Sequence, residues 1–241
     1  MSNSFFRFKQ FIIHQDRCAM KVTTDACLFG AWMAADIQQT QNSKTLLDIG
    51  TGTGLLTLMI AQKNLHLDID AIEIDSAAAE QSKENRNAGT WKNRINIIHG
   101  DVRSFKPAKK YDLIISNPPF YENELQSGNK QRDTAHHSKH LTMDNLLQII
   151  KLNLVEDGNF YLLLPYKRKD EIEKLVVDNN LIIVKKICIR QSVNHDYFRI
   201  IIKGGLKNSP VKEEKEISIR DNEQKYTNDF IGLLKDYYLH L

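Results

Sequence analysis

Two rhythms of apolar and polar positions run through the chain. Between Phe5 and Ile13 the residues Phe6, Phe8 and Phe11 fall among polar ones in loose alternation, which predicts a short strand or hairpin arm. Thr23-Thr24-Asp25, three residues that favour helix N-caps, then precede Ala26 to Met33, a run suited to a buried helix. From Lys44 onward the rhythm changes. Thr45 to Ile49 is a short apolar run ended by glycines and Leu55 to Gln62 has helical spacing, so strand, tight turn and helix follow one another. Ile69 to Ile74 predicts a second strand, and Ser76 to Ala88 a second helix capped by Ser76 and stopped at Gly89. Further strands are predicted over Ile95 to His99, Tyr111 to Ser116 and Phe160 to Leu164, with helices over Met143 to Leu154 and Lys167 to Val177. Leu181 to Ile189 and Phe198 to Lys203 read as two late strands, and the tail holds Ile217-Ser218-Ile219 and a helix from Thr227 to Leu239.

Strands alternating with helices at this spacing imply βαβ units. The expected fold is α/β: a Rossmann-like, doubly wound, seven-stranded and mostly parallel sheet with one antiparallel edge hairpin strand, preceded by a short N-terminal extension. The expected division separates a strand/helix extension, residues 1–43, from a Rossmann-like domain, residues 44–241. Glu122 to His140 is polar, lacks apolar periodicity and is too long for an ordinary connection, which predicts a surface loop or lid.

With 241 residues, 41% of them hydrophobic, the chain can fill a sizeable core, which excludes collagen-like, disordered and disulfide-scaffold classes. Lys and Arg number 33 against 30 Asp and Glu, a net +3 that neither compels nor forbids a polyanionic partner. Distribution says more. Between 185 and 212 the cations Lys185, Lys186, Arg190, Arg199, Lys203, Lys207 and Lys212 face one acid, Asp196, an excess that favours RNA. The acids Glu213, Glu214 and Glu216 beside it have no explanation in the sequence. Cys18, Cys27 and Cys188 show no C-x-x-C pair, which predicts reduced, partly buried thiols. His136, His137 and His140 lack the acidic or Cys company of a metal site, so no metal is expected. Arg7, Lys9 and Asp16 interrupt the N-terminal apolar residues, and nowhere do eighteen apolar residues run together; a cytoplasmic chain is expected.

The run Asp48-Ile49-Gly50-Thr51-Gly52-Thr53-Gly54 falls at the carboxyl end of a parallel strand and before a helix N-terminus, where open sheets bind ligands. Glu73 ends the next strand, where a carboxylate can accept hydrogen bonds from both ribose hydroxyls. Together these imply a nucleoside-containing cofactor, either a dinucleotide or S-adenosylmethionine. Asp101, after the third strand, is placed to meet the 6-amino group of a cofactor adenine, and Val102 to pack on the ring. The fourth strand ends in Ser116-Asn117-Pro118-Pro119-Phe120, where two prolines stop the chain rigidly at the sheet edge. An adenine amine is a poor nucleophile because its lone pair is conjugated into the ring. The Asn117 side-chain oxygen and the Pro118 carbonyl could hold its two N–H groups and favour a pyramidal nitrogen aimed at a methyl donor, while Phe120 offers a face on which an extruded base stacks.

These motifs resemble class I S-adenosylmethionine-dependent methyltransferases of the amino-methylating kind. The block from Phe6 to Trp32, FRFKQFIIHQDRCAMKVTTDACLFGAW, is similar to that of the bacterial tRNA1(Val) adenine-N6-methyltransferase family, and the likeness spans nearly the whole chain. The resemblance implies S-adenosyl-L-methionine as donor and transfer to N6 of the adenine just 3′ of a tRNA anticodon. It places Lys21, Thr24 and Asp25 over the donor, alongside Asp48, Gly50, Thr51, Gly52, Glu73, Asp101, Val102 and Asn117, and gives the 1–43 extension a part in cofactor and RNA binding. Read from the residues alone, Thr24 and Asp25 are equally ordinary helix caps. Catalysis is expected at Asn117, Pro118, Pro119 and Phe120, with tRNA held through Lys185, Lys186, Arg190, Arg199, Lys203 and Lys207. The Asn-Pro-Pro-Phe tetrad is shared with N4-cytosine and protein-glutamine methyltransferases, so it fixes the reaction type while only the N-terminal block indicates the substrate. The alternatives are another RNA or DNA, or N5-glutamine methylation of a protein. An NAD-dependent oxidoreductase would leave Asn117 to Phe120 without a role.

Overall fold

The computed structural model describes residues 3–40, 43–119, 141–207 and 213–241. It opens on an antiparallel hairpin of β1 (Phe5–Arg7) and β2 (Ile12–His14) and continues with α1 (Thr24–Thr40). Then come β3 (Thr45–Ile49), α2 (Leu55–Lys63), β4 (Asp68–Glu73), α3 (Ser76–Ala88), β5 (Ile95–His99) and β6 (Tyr111–Ser116). The second half holds α4 (Met143–Asn153), β7 (Leu154–Pro165), α5 (Lys169–Asp178), β8 (Ile182–Ser192), β9 (Tyr197–Gly205), β10 (Glu213–Arg220) and α6 (Asn228–Leu234). Phe120 and the stretch 122–140, read from sequence as a stacking residue and a loop or lid, lie outside the described residues.

Among the described residues the main sheet has eight strands in the order β10-β8-β9-β7-β6-β3-β4-β5. It is α/β and mostly parallel, as the spacing predicts, with two differences. The eighth strand is β10, which pairs parallel with β8 and sets Glu213 opposite Lys185, Glu214 opposite Lys186 and Ser218 opposite Arg190. Charges fill its first half, so its apolar signal is confined to Ile217 and Ile219. The single reversed strand, β9, runs antiparallel to both β7 and β8 and therefore lies inside the sheet, not at its edge.

The strands bury both faces because their residues alternate between two cores. In β7, Phe160, Leu162 and Leu164 pack with α4 and α5, while Tyr161 and Leu163 pack with α1, α2, α6 and the hairpin residues Phe8, Phe11 and Ile13. Each such fully buried side chain contributes about 1.5–3 kcal/mol over an exposed one. The cap of α3 is Asp75, not Ser76: its backbone is extended and its carboxylate accepts from Ala78 N at 2.8 Å. The last helix stops at Leu234, and Tyr237 beyond it turns inward to donate to the Met59 carbonyl at 3.0 Å. Beneath α1, Asp36 accepts from Tyr161 Oη at 2.9 Å and from Lys203 Nζ at 2.8 Å, a nearly dry pair that ties helix to sheet. Burial works to raise the Asp36 carboxyl, but Lys203, Tyr161 and Lys185 outweigh it and hold it below the usual carboxylate range. All three cysteines are buried and unpaired, and burial pushes the Cys18 thiol up to about 11 and Cys27 up to about 12.

Candidate active site

Register brings the chemistry to one edge. Ile49 pairs with Ile72 on one side and Ser116 on the other, and Glu73 pairs with His99, so four neighbouring strands end level. The turn at 50–54, Glu73, Asp101 and Asn117 all follow from those ends. Gly50 and Thr51 donate their N–H groups to the Ile72 carbonyl at 2.9 and 3.2 Å, and Ser116 Oγ donates to the Ile49 carbonyl at 2.8 Å, fixing the strand ends to one another. Gly50 and Gly52 have φ of +72° and +55°, yet among the described residues a Cβ at either would meet nothing within 4 Å. Conformation demands glycine there, and the space above stays open for a ligand.

Asp48 lies wholly buried under that turn. Its Oδ2 accepts from Thr51 Oγ1 and Thr57 Oγ1, both at 2.7 Å, whereas Oδ1 is buried with no hydrogen-bond partner among the described residues. Burial, with the Glu73 charge adding to it, pushes the Asp48 carboxyl up to about 6 against the pull of the two threonines. Glu73 accepts from Gly52 N at 2.8 Å and Asp75 N at 2.9 Å, one bond to each oxygen, which holds the carboxylate rigidly at the crevice wall. An orphaned acid atom, an open glycine cradle and a second fixed carboxylate suit a cationic nucleoside such as S-adenosylmethionine: Asp48 Oδ1 could take its ammonium and Glu73 its ribose hydroxyls.

Asp101 is at the same edge, with its carboxylate gripped by Arg103 through Nε at 2.9 and 3.0 Å and Nη2 at 2.6 Å, which holds it below the usual range. Val102 is half-buried against the second core. Pro118 is buried, Asn117 half-buried and Pro119 exposed. Three sequence-derived donor residues face other partners. Lys21 Nζ donates to the Gln15 carbonyl, Thr24 is hydrogen-bonded to Tyr238, and Asp25 Oδ2 accepts from Arg199 Nε at 2.7 Å. Neither Thr24 nor Asp25 caps α1, since both are its first residues and the Thr23 carbonyl accepts from Cys27 N at 3.0 Å.

Sequence reading passed over Thr57, whose signal is a lone hydroxyl in the apolar opening turn of α2, and Gln15. Gln15 is buried; its Oε1 accepts from Val22 N at 2.8 Å and so closes residues 15–22 into a loop. That loop crosses the crevice. Arg17 binds α3 through Gln81 and Glu84, and Met20 Sδ lies 4.0 Å from Asn117 Nδ2. Exposed Ile74, next to Glu73, adds an apolar surface at the same rim.

The six cations expected to hold RNA do not form an open basic patch. Lys185 pairs with Asp36 and Glu213, Lys186 with Glu173 and Glu214, and Arg190 with Glu216. Arg199 pairs with Asp25, Lys203 with Asp36, and Lys207 with Glu156 and Asp157. The acids of β10, unexplained in sequence, are the counter-ions of β8, and Lys212 lies outside the described residues.

The Methyltransferase small domain family profile matches residues 30–157. Two curated relatives named tRNA1(Val) (adenine(37)-N6)-methyltransferase, from Bacteroides thetaiotaomicron and Cytophaga hutchinsonii, are each 36% identical with both chains fully covered. A third, from Christiangramia forsetii, is 38% identical, again over the whole of both chains. Among solved structures, a predicted O-methyltransferase from Agrobacterium tumefaciens superposes with TM-score 0.67 at 16% identity, covering 88% of this chain and 96% of that one. A glycopeptide N-methyltransferase complexed with S-adenosyl-L-methionine gives 0.54 at 12%, covering 74% and 94%, and such likeness bears on fold alone. Full-length identity at this level, joined to the strand-end motifs, makes the chain a member of the tRNA1(Val) (adenine(37)-N6)-methyltransferase family, within the S-adenosylmethionine-dependent methyltransferases.

Proposed function

We propose that this chain transfers a methyl group from S-adenosyl-L-methionine to N6 of adenine 37 in tRNA1(Val), the substrate carried in its relatives' names. The observation that carries the reading is the level edge on which Asn117-Pro118 stands beside the Asp48–Glu73 crevice. When bound, the donor supplies an electrophilic methyl carbon on a sulfonium and leaves as the neutral thioether S-adenosyl-L-homocysteine, while the newly methylated nitrogen loses one proton to solvent. The chain's own residues do the rest. Asp48 Oδ1 takes the ammonium, Glu73 the ribose, and Asp101 and Val102 the adenine; Asn117 Oδ1 and the Pro118 carbonyl accept the N–H groups of the target amine and turn its lone pair toward the methyl group. Phe120 stacks on the extruded base, and no metal takes part. Pro118, buried and without an N–H, keeps its carbonyl aimed in one direction. The 1–43 segment acts as an extension that closes the donor site of a 44–241 catalytic unit, in the cytoplasm that a tRNA substrate implies.

The test is methylation of purified tRNA1(Val) transcripts with labelled donor, read by nucleoside mass spectrometry. N6-methyladenosine in the parental transcript and none in one carrying guanine at position 37 is the expected result; label found in protein, or in RNA regardless of that position, overturns the assignment.

A further inference from the structure

A primary amide presents two unlike sides. The oxygen side accepts hydrogen bonds and the NH2 side donates them, and a half-turn about the last side-chain bond exchanges the two. For Asn117 to accept from a target amine, Oδ1 must face the crevice. Pro118, the next residue, has no N–H, so it offers no backbone donor that would draw Oδ1 away from the crevice. Met20 distinguishes the orientations. Its sulfur lies 4.0 Å from Asn117 Nδ2, and a thioether can only accept. The loop that carries it is tied at both ends: Gln15 Oε1 accepts from Val22 N at 2.8 Å, and the Arg17 N–H donates to Gln81 Oε1 at 3.1 Å. Cys18, buried between these anchors, fixes the loop's inner side. Met20 itself is 45% exposed, so its place over Asn117 is set by the loop and not by core packing.

We propose that Met20 is the positioning residue for the Asn117 amide: its sulfur takes the NH2 side and leaves Oδ1 for the target amine. This rests on the adenine-N6 reading above. A sulfur acceptor at this distance gives a small bias, so removing it matters to the rate and not to the fold. Met20→Leu keeps the apolar volume and deletes the acceptor. Expected is a fall in kcat of about three- to tenfold, with donor Kd, tRNA KM and Tm unchanged within about twofold or a degree. Met20→Gln returns an acceptor at similar reach and restores kcat above the Leu variant.

A kcat for Met20→Leu equal to the parental value, a Gln variant no better than Leu, or an effect confined to donor Kd or tRNA KM would each overturn the role. Nitrogen-15 spectra of the substrate-free protein give a readout independent of turnover. The Asn117 side-chain NH2 pair, assigned by its absence in Asn117→Ala, shifts in Met20→Leu and again in Met20→Gln; a pair unmoved in both ends the proposal. If the parental protein leaves tRNA1(Val) unmethylated, the proposed function fails while the spectra still decide this point.

Discussion

At neutral pH the Asp48 carboxyl, titrating at about 6, is mostly ionised although none of the described residues donates to its Oδ1. The folded chain keeps this proton to a higher pH than the unfolded chain does. Its contribution to stability is therefore full below about pH 4 and is lost by about pH 6, a decline of roughly 3 kcal/mol from this one group. Denaturation of the parental protein and Asp48→Asn across that window should show the decline in the first and its absence in the second. The same proton opposes a cationic ligand, so donor Kd should weaken about tenfold per unit below pH 6 in calorimetry, and Thr57→Val should move the midpoint upward. Asn117 is a different case. With no titration to perform, its replacement by Ala should cut kcat about a hundredfold or more with donor Kd little changed, as the loss of a preorganised polar contact to a reacting group does. Single-turnover methylation beside calorimetry separates the two effects. Glu73, Asp101 and Asn117 are legible in sequence because each follows a strand end, but the hydroxyl of Thr57 is not: it matters only once α2 has folded against Asp48.

Among the elements, α1 depends on a contact far from the crevice. Asp36→Ala would strand Lys203, whose side chain is 11% exposed, at a cost of about 3–5 kcal/mol and a fall in Tm on the order of 10 °C. Asp36→Ala joined to Lys203→Met should recover most of that loss in thermal denaturation, which a simple cavity at Asp36 would not allow. The existence and order of the main-sheet strands and of α1 to α5 follow from periodicity, because each turns an apolar face to a core, but α1 runs seven residues past Met33 and β7 begins six before Phe160. Ends follow less well. Asp75 and Ser76 are both good caps, and only the extended backbone at 75 selects the first. The final helix reads five residues too long because Tyr237 and Tyr238 continue its apolar spacing while packing from a turn beyond it.

For the molecule as a whole, charge read along the chain misleads where charge read across the sheet does not. Lys186 and Arg190 look like part of a basic surface until β10 lays Glu214 and Glu216 beside them. Replacing Lys186, Arg190, Glu214 and Glu216 together by Ala, which leaves the local net charge unchanged, should leave tRNA KM within about twofold and the salt dependence of binding unchanged, since the pairs have no net charge to offer phosphate. A loss of salt sensitivity in that variant, followed by filter binding across a salt series, would show that the pairs open to RNA. No local rule could have exposed this pairing: Asp25 meets Arg199, and Asp36 meets Lys203, only after the chain has come back through β9.

The row of acids on β10 has one more effect. A strand at the margin of a sheet leaves a line of backbone donors and acceptors unclaimed, an invitation to any other extended segment. Here Glu214 and Glu216 lie along that margin, both exposed, and two copies pairing antiparallel about residue 215 would set these carboxylates opposite each other. The side chains that neutralise β8 thus also discourage the protein from growing, sheet upon sheet, into aggregates.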